Sequence, residues 1–137
     1  MKTLFGSFLA VIAGIAVALV LVVGVEFFSS IVHPLPANFD GNIPEHVKRY
    51  PAWVLGVVVL AWGATLTAAT WLATRIGNRV AGGVVALLLA CALIFNLAML
   101  PYAMWFKVAM LVMLPTACLY GIFRVKPRPS TMMSHGR

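Results

Sequence analysis

The sequence predicts an all-α fold, an integral membrane four-helix bundle with both termini cytoplasmic, and three observations lead to that prediction. Hydrophobic residues make up 63% of the 137 residues and charged residues only 9%, with a mean hydropathy of +1.02. Soluble globular domains have a far more polar composition. Four apolar runs follow one another, each near the roughly 20 residues that a helix needs to cross a hydrocarbon core of about 30 Å. This composition excludes a water-soluble enzyme, a disordered chain and a secreted disulfide scaffold.

Prolines and a turn sequence divide the four runs. Pro34 ends the first run, because a proline disfavours the helical conformation of the residue before it. Pro51 suits the first turn of the second helix, and Pro101 separates the third helix from the fourth. Gly77 and Asn78 form a turn between the second and third helices. One membrane domain over 1–137 is predicted, with helices at about 4–33, 51–74, 80–100 and 102–123, an outer loop at 34–50 and a basic tail at 124–137.

Lysine and arginine are unevenly divided between the two ends of the predicted helices. Seven of the ten lie on the side of the two termini, and three lie on the side of the 34–50 loop. Because positive residues stay on the cytoplasmic side, we expect a multi-pass protein of the cell (inner) membrane with this loop outside. The seven are Lys2, Arg75, Arg79, Arg124, Lys126, Arg128 and Arg137, and the three are Lys48, Arg49 and Lys107.

The net charge of +7 predicts a preference for anionic lipids of the bilayer at the basic tail. Nucleic acid is not an expected partner, because nothing in the sequence builds a folded basic surface. Cys91 and Cys118 lie inside apolar runs, where a free cysteine packs as a small hydrophobic residue. Phosphate-binding loops, zinc-type cysteine spacings and hydrolase motifs are missing from the sequence. We therefore expect no enzyme activity, no cofactor and no metal.

Glu26 is the only acidic residue inside an apolar run, and an ionisable residue at such a position is a functional-site hypothesis by default. Three other polar residues follow it at three, four and seven positions onward, and this spacing places them on one helix face. By helical rise, one residue each of the third and fourth helices lies at a similar height. The predicted intramembrane polar cluster comprises Glu26, Ser29, Ser30, His33, Asn96 and Lys107.

Each member of this cluster also has a plainer interpretation. Lys107 can extend its ammonium group to the lipid headgroups, Asn96 can link two helices, and His33 can cap the end of a helix. Glu26 either binds a proton or a cation, or forms an ion pair with Lys107 that a poorly hydrated layer strengthens. Both interpretations of Glu26 stay open, and the ion pair with Lys107 is our working hypothesis.

Small residues on the first helix predict close helix packing. Gly6, Ala10 and Gly14 recur every four positions, which forms a small-xxx-small ridge that lets two helix backbones approach each other. The ridge can serve contacts within one chain or contacts between two copies.

Short motifs on all four predicted helices carry a resemblance to a known group. They are Glu26 with His33-Pro34-Leu35-Pro36, Ala61-Trp62-Gly63, Asn96 to Pro101 with Trp105-Phe106, and Leu114-Pro115 with Gly121. The chain resembles, over nearly its whole length, a widespread group of small, uncharacterised bacterial four-helix integral membrane proteins. This resemblance implies the four-helix fold and no particular activity. The chain is also similar in size and helix count to the small multidrug resistance transporters, which carry a glutamate in the first helix. Here Glu26 lies late in that helix, and the first loop is long for those transporters.

Two functions fit these features. The one we favour is a small accessory or structural protein that acts by helix packing, in a homo-oligomer or with a membrane-protein partner. The alternative is a proton- or ion-linked carrier of small molecules that uses Glu26 and His33. A groove that opens Glu26 to the middle of the bilayer would favour the carrier, and a closed outer layer would favour the structural role.

Overall fold

The computed structural model of the protein describes residues 2–125, and the chain is helical with no strand in this range. Residues 2–125 form five helices, of which four are long and apolar enough to cross a membrane. The helices are α1 (Lys2–Val32), α2 (Ile43–Lys48), α3 (Ala52–Ile76), α4 (Arg79–Met99) and α5 (Met104–Phe123).

The four long helices begin and end within two residues of the predicted positions. Local chemistry explains these boundaries. The side chain of Asn78 caps α4 by accepting a hydrogen bond from the backbone N–H of Ala81 at 2.9 Å. Pro51 immediately precedes α3, and α4 ends at Met99, followed by its C-cap Leu100 and then Pro101. The part of the predicted basic tail after residue 125 lies outside the described residues.

The short helix α2 differs from the prediction of a loop over 34–50. Asn42 caps it, because the side-chain oxygen accepts a hydrogen bond from the backbone N–H of Glu45 at 3.2 Å. The Glu45 carboxylate then pairs with Lys48 at 3.9 Å and with Arg49 at 3.3 Å. An asparagine cap, a proline in the first turn and an acid three residues after the cap are helix-start signals. Residues 42–45 therefore carry the local signals for this helix.

Helix α3 is the centre of the bundle. It contacts α1, α4 and α5, and α4 also contacts α1 and α5. Within the described range, α1 and α5 do not contact each other. The bundle is therefore built on the α3–α4 pair, with α1 and α5 on either side of it.

The two ends of the bundle have different packing. We call the end where α1 stops and where α3 and α5 start the α2 end, and the opposite end, with Arg75, Arg79 and Arg124, the arginine end. Large side chains fill the core near the α2 end, whereas alanines dominate the core shared by α1, α3 and α4 towards the arginine end. The first core is Leu55, Val59, Leu93, Leu97, Phe106 and Met110, and the second is Ala18, Ala69, Ala73 and Val85.

Three buried threonines of α3 satisfy their hydroxyl groups within their own helix. Thr65, Thr70 and Thr74 each donate a hydrogen bond to the carbonyl oxygen four residues earlier, at 2.9, 2.7 and 2.7 Å. A hydroxyl group in an apolar interior needs such a partner. These threonines therefore bring small side chains into the helix contacts without leaving an unpaired polar group.

Candidate functional site

A small polar pocket lies at the α2 end, and we call it the Glu26 pocket. Its volume is about 40 Å³, enough for one or two water molecules. Five of the lining residues are polar or phenolic, and the rest belong mainly to the large-residue core. The lining comprises Glu26, Ser29, Tyr50, Asn96 and Tyr102, together with Leu55, Val58, Trp62, Leu93, Leu97, Phe106 and Met110.

Four separate segments supply the polar groups of the pocket. Glu26 and Ser29 lie three residues apart on α1 and so share one helix face. Asn96 lies in the last turn of α4, whereas Tyr50 and Tyr102 precede the starts of α3 and α5. The bundle brings these groups together because α1 and α4 end where α3 and α5 begin.

Burial differs strongly between the members of the Glu26 pocket. Ser29 is only 5% exposed, whereas Glu26 and Asn96 are exposed. Within residues 2–125, the Glu26 carboxylate forms neither a hydrogen bond nor an ion pair with another side chain. This exposed carboxylate lies six residues before the end of α1, close to the α2 end of the bundle.

The charge of Glu26 affects the pKa values of two tyrosines of the pocket, Tyr50 and Tyr102. The pKa of Tyr102 is raised to about 12, mainly by burial and to a smaller extent by the negative charge of Glu26, since a second negative charge nearby is unfavourable. The pKa of Tyr50 is raised for the same two reasons in the same order. Neither tyrosine belongs to the polar cluster predicted from the sequence. Their positions beside Pro51 and Pro101, at helix starts predicted for the same membrane side as Glu26, were the available signal.

Lys107 does not line the Glu26 pocket and forms no ion pair with Glu26. In the described part of the chain, both ion pairs involve Glu45 instead. The expected Glu26–Lys107 pair is therefore not formed. Helical rise predicts the height of a side chain but not its neighbours, and α1 does not contact α5 in this bundle.

His33 does not line the Glu26 pocket but belongs to an adjoining aromatic cluster, which we call the histidine stack and which shares Tyr50 with the pocket. Its ring lies on the ring of His46, with centroids 4.4 Å apart and an angle of 21° between the planes, and 4.6 Å from the Tyr50 ring. The Nε2 atom of His33 is buried and has no hydrogen-bond partner among the described residues. The stack ties the loop that holds α2 to the end of α1.

Ser30 takes no part in either cluster. It is exposed and donates its hydroxyl hydrogen to the carbonyl oxygen of Phe27 at 2.8 Å. The four polar residues predicted to share one face of α1 thus lie in three environments: Glu26 and Ser29 in the pocket, Ser30 bonded to its own helix, and His33 in the histidine stack.

The predicted packing ridge is divided as well. Gly14 is buried, and a Cβ atom there would lie 3.0 Å from the carbonyl oxygen of Ala69 and 3.0 Å from the Cβ of Ala73. Ala10 is fully buried and lies 2.7 Å from the position of a Cβ atom on Gly77. Nothing lies within 4 Å of the Cβ position of Gly6. Two of the three residues therefore pack within the chain.

Among residues 2–125, no group of three or more His, Cys, Asp or Glu side chains is arranged to hold a metal ion. Comparisons of the chain with protein-family models, with curated proteins and with solved structures find no match.

Proposed function

We propose that this chain is a multi-pass protein of the cell (inner) membrane, without enzyme activity, that acts as an accessory or structural protein through helix packing. Both termini are cytoplasmic in this proposal, and the partner is a second copy or another membrane protein.

Large exposed apolar side chains support insertion into a membrane. On α1 alone, Phe5 is 65% exposed, Val20 71% and Phe27 67%. Soluble monomers do not present apolar surfaces of this extent to water. Lipid chains would surround these side chains at no cost, because lipid is as apolar as they are.

The distribution of charge supports the orientation. The arginine end carries Arg75, Arg79 and Arg124, whereas the α2 end carries Glu26, Asp40 and Glu45 beside its basic residues. Positive residues are retained on the cytoplasmic side. The arginine end, and with it the two termini, would therefore face the cytoplasm.

The observation that carries the structural role is the closed interior. Between residues 2 and 125 the buried polar residues are Ser29 and the threonines Thr65, Thr70 and Thr74, and no charged residue is buried. Each threonine hydroxyl is already bonded within α3. A carrier needs polar groups along a path across the hydrocarbon, and this interior offers only the Glu26 pocket at one end.

The open face of α1 is the surface we assign to the partner. Helix α1 is the least buried of the four long helices, and among the described helices it contacts α3 and α4. Gly24 has nothing within 4 Å of its Cβ position, so another helix could approach the α1 backbone there.

Energy transfer between two fluorescently labelled populations in lipid vesicles tests this role. We expect concentration-dependent transfer for the wild-type chain and a loss of transfer for Gly24→Leu, whose side chain would keep the two backbones apart. Gly83→Leu is the matched control, because Gly83 on α4 also has nothing within 4 Å. Equal loss in both variants would argue against the α1 face.

The alternative function, a proton- or ion-linked carrier that uses Glu26, is tested in the same vesicles with a pH-sensitive dye inside. We expect a pH gradient to decay at the same rate with the wild-type chain and with Glu26→Gln. Faster decay that requires Glu26, combined with absent energy transfer, would overturn the structural role and favour the carrier.

A further inference from the structure

An apolar groove of about 580 Å³ runs between α3 and α5, within the range of roughly 300–1,000 Å³ typical of small-molecule sites. We call it the α3–α5 groove. It contains two threonines, Thr67 and Thr116, whose hydroxyl groups donate to backbone carbonyl oxygens of α5 at 3.3 and 2.9 Å. Because those hydroxyl groups are engaged, the groove is suited to a hydrocarbon ligand.

The groove has the length of one membrane leaflet. On α3 it extends from Leu60 to Trp71, which is about 16 Å at 1.5 Å per residue. That is roughly half of a hydrocarbon core of about 30 Å. The groove ends at two aromatic residues, Trp71 on α3 and Tyr120 on α5, and both helices end shortly afterwards at the arginine end. A single acyl chain of the leaflet at that end would match this position.

Two arginines lie at the end of the groove, each stacked on one of these aromatic rings. The guanidinium carbon of Arg75 lies 5.0 Å from the ring centroid of Trp71, and that of Arg124 lies 5.2 Å from the ring centroid of Tyr120. Arg124 also donates a hydrogen bond to the Tyr120 hydroxyl. Both arginines are exposed and lie one helical turn beyond the aromatic residues, at the height of lipid headgroups.

No acidic side chain neutralises these arginines. The chain has three acidic residues, Glu26, Asp40 and Glu45, and all of them lie towards the α2 end. A second copy in the same orientation would therefore bring further arginines to this end and no acidic side chain. An anionic lipid supplies both missing parts, an acyl chain for the groove and a phosphate for the arginines.

We propose that the α3–α5 groove binds an anionic phospholipid, with one acyl chain along the groove and the phosphate between Arg75 and Arg124. Guanidinium groups bind phosphate oxygens through paired, charge-assisted hydrogen bonds, and basic pockets between membrane helices bind anionic headgroups. Of the predicted basic tail, this site uses Arg124 alone, together with Arg75 of α3, and the inference rests on the membrane insertion proposed above.

Trp71 provides a direct probe of the groove. In the full chain with Trp53→Phe, Trp62→Phe and Trp105→Phe, the only remaining tryptophan is Trp71, and lipids with brominated acyl chains quench its fluorescence on contact. The chain is reconstituted into phosphatidylcholine vesicles with increasing fractions of brominated phosphatidylglycerol. Brominated phosphatidylcholine at the same fractions gives the comparison, and flotation with the vesicles verifies insertion.

We expect brominated phosphatidylglycerol to quench Trp71 at lower fractions than brominated phosphatidylcholine does. Arg75→Gln and Arg124→Gln should each raise the fraction needed for half-quenching by about fivefold. Arg79→Gln removes the same charge at the same end, but Arg79 stacks on Phe123, 5.3 Å from its ring centroid, away from the groove. This control should leave the fraction almost unchanged.

Three results would overturn the lipid site in a chain that floats with the vesicles. Equal effects of all three arginine variants would indicate general surface attraction. Equal quenching by the two brominated lipids would indicate an acyl chain without headgroup selection, and no quenching by either would indicate a groove covered by protein, such as a second copy. A chain that does not float with the vesicles would instead contradict the proposed membrane insertion.

Discussion

The two halves of the bundle are held together in different ways. Towards the arginine end, a Cβ atom on Gly14 would lie 3.0 Å from the backbone carbonyl oxygen of Ala69. Towards the α2 end, the core consists of large side chains such as Leu93 and Phe106, and nothing lies within 4 Å of the Cβ positions of Gly24 and Gly56. Apolar side chains gain little by leaving lipid for protein, so association in a membrane depends on close contact between helices. We call the half at the arginine end the small-residue half and the half at the α2 end the large-residue half. The small-residue half would therefore define the helix arrangement, and the large-residue half leaves space for a polar pocket.

The largest expected effect comes from adding one methyl group in the small-residue half. A Cβ atom at Gly121 would overlap the Thr70 hydroxyl and lie 2.6 Å from the Thr67 carbonyl oxygen. Gly121→Ala should lower the free energy of unfolding by about 3 kcal/mol, because α3 and α5 must separate to admit the group. Titration of the reconstituted chain with sodium dodecyl sulfate, followed by circular dichroism, measures this change.

Gly56→Ala is the matched control in the large-residue half. The Cβ position there is open, and replacing glycine by alanine inside a helix is worth about 0.5–1 kcal/mol. This variant should therefore be slightly more stable than the wild-type chain. If both alanine variants lost similar stability, the contrast between the two halves would be wrong.

A smaller loss is expected from removing a large side chain near the α2 end. Phe106 is 2% exposed, and Phe106→Ala should cost about 2 kcal/mol, below the roughly 3–5 kcal/mol of soluble cores, because lipid solvates apolar surface well. Phe95→Ala, at a residue that is 67% exposed, should change the free energy of unfolding by less than about 0.5 kcal/mol. A cost for Phe106→Ala as large as that for Gly121→Ala would show that both halves are equally specific.

The histidine stack gives a prediction with the opposite sign. His33→Phe keeps a ring against His46 and removes the buried Nε2 atom that has no partner. An unsatisfied buried polar atom costs about 1 kcal/mol or more, so this variant should be about 1 kcal/mol more stable in the same titration. His33→Ala is the control, and it should be less stable because the ring contact is lost. Lower stability of His33→Phe would imply that Nε2 has a partner in the membrane.

The smallest effect concerns the charge of Glu26. Removal of that charge by Glu26→Gln should lower the pKa of Tyr102 from about 12 but leave it above 10.0, because burial is the larger cause of the shift. Tyrosinate absorbance during alkaline titration, compared with Tyr102→Phe, measures this pKa. Glu45→Gln should not change it. An unchanged pKa in Glu26→Gln would contradict the position of Glu26 beside Tyr102.

Tyr102 also makes the free energy of unfolding depend on pH. An unfolded tyrosine loses its proton near pH 10.0, whereas folded Tyr102 keeps its proton until about pH 12. Between these values the unfolded chain binds fewer protons, so the free energy of unfolding contributed by Tyr102 falls as the pH rises. Below pH 10 the contribution of Tyr102 does not change with pH. Tyr102→Phe should remove the Tyr102 share of the alkaline loss of stability and leave the share of Tyr50, whose pKa is also raised.

The positions of the long helices could be predicted because each depends on neighbouring residues. Length and apolar composition define a membrane-length helix, while Pro51, Asn78 and Pro101 define its ends. The short helix α2 was also encoded locally, by Asn42 and Glu45. The candidate site could be predicted only in part: Glu26, Ser29 and Asn96 line one pocket, but Lys107 does not join them.

What the sequence by itself determined is therefore a set of four apolar helices and the height of each polar group along them. Only the tertiary structure decided which helices touch: α3 at the centre, α1 and α5 apart, and Tyr50 and Tyr102 beside Glu26. The physical reason is that every face of such a helix is apolar and therefore equally soluble in lipid, so hydrophobic periodicity does not indicate the buried side. The buried side follows from close contacts such as that of Gly14 with Ala69 and Ala73, which exist only once the helices have packed.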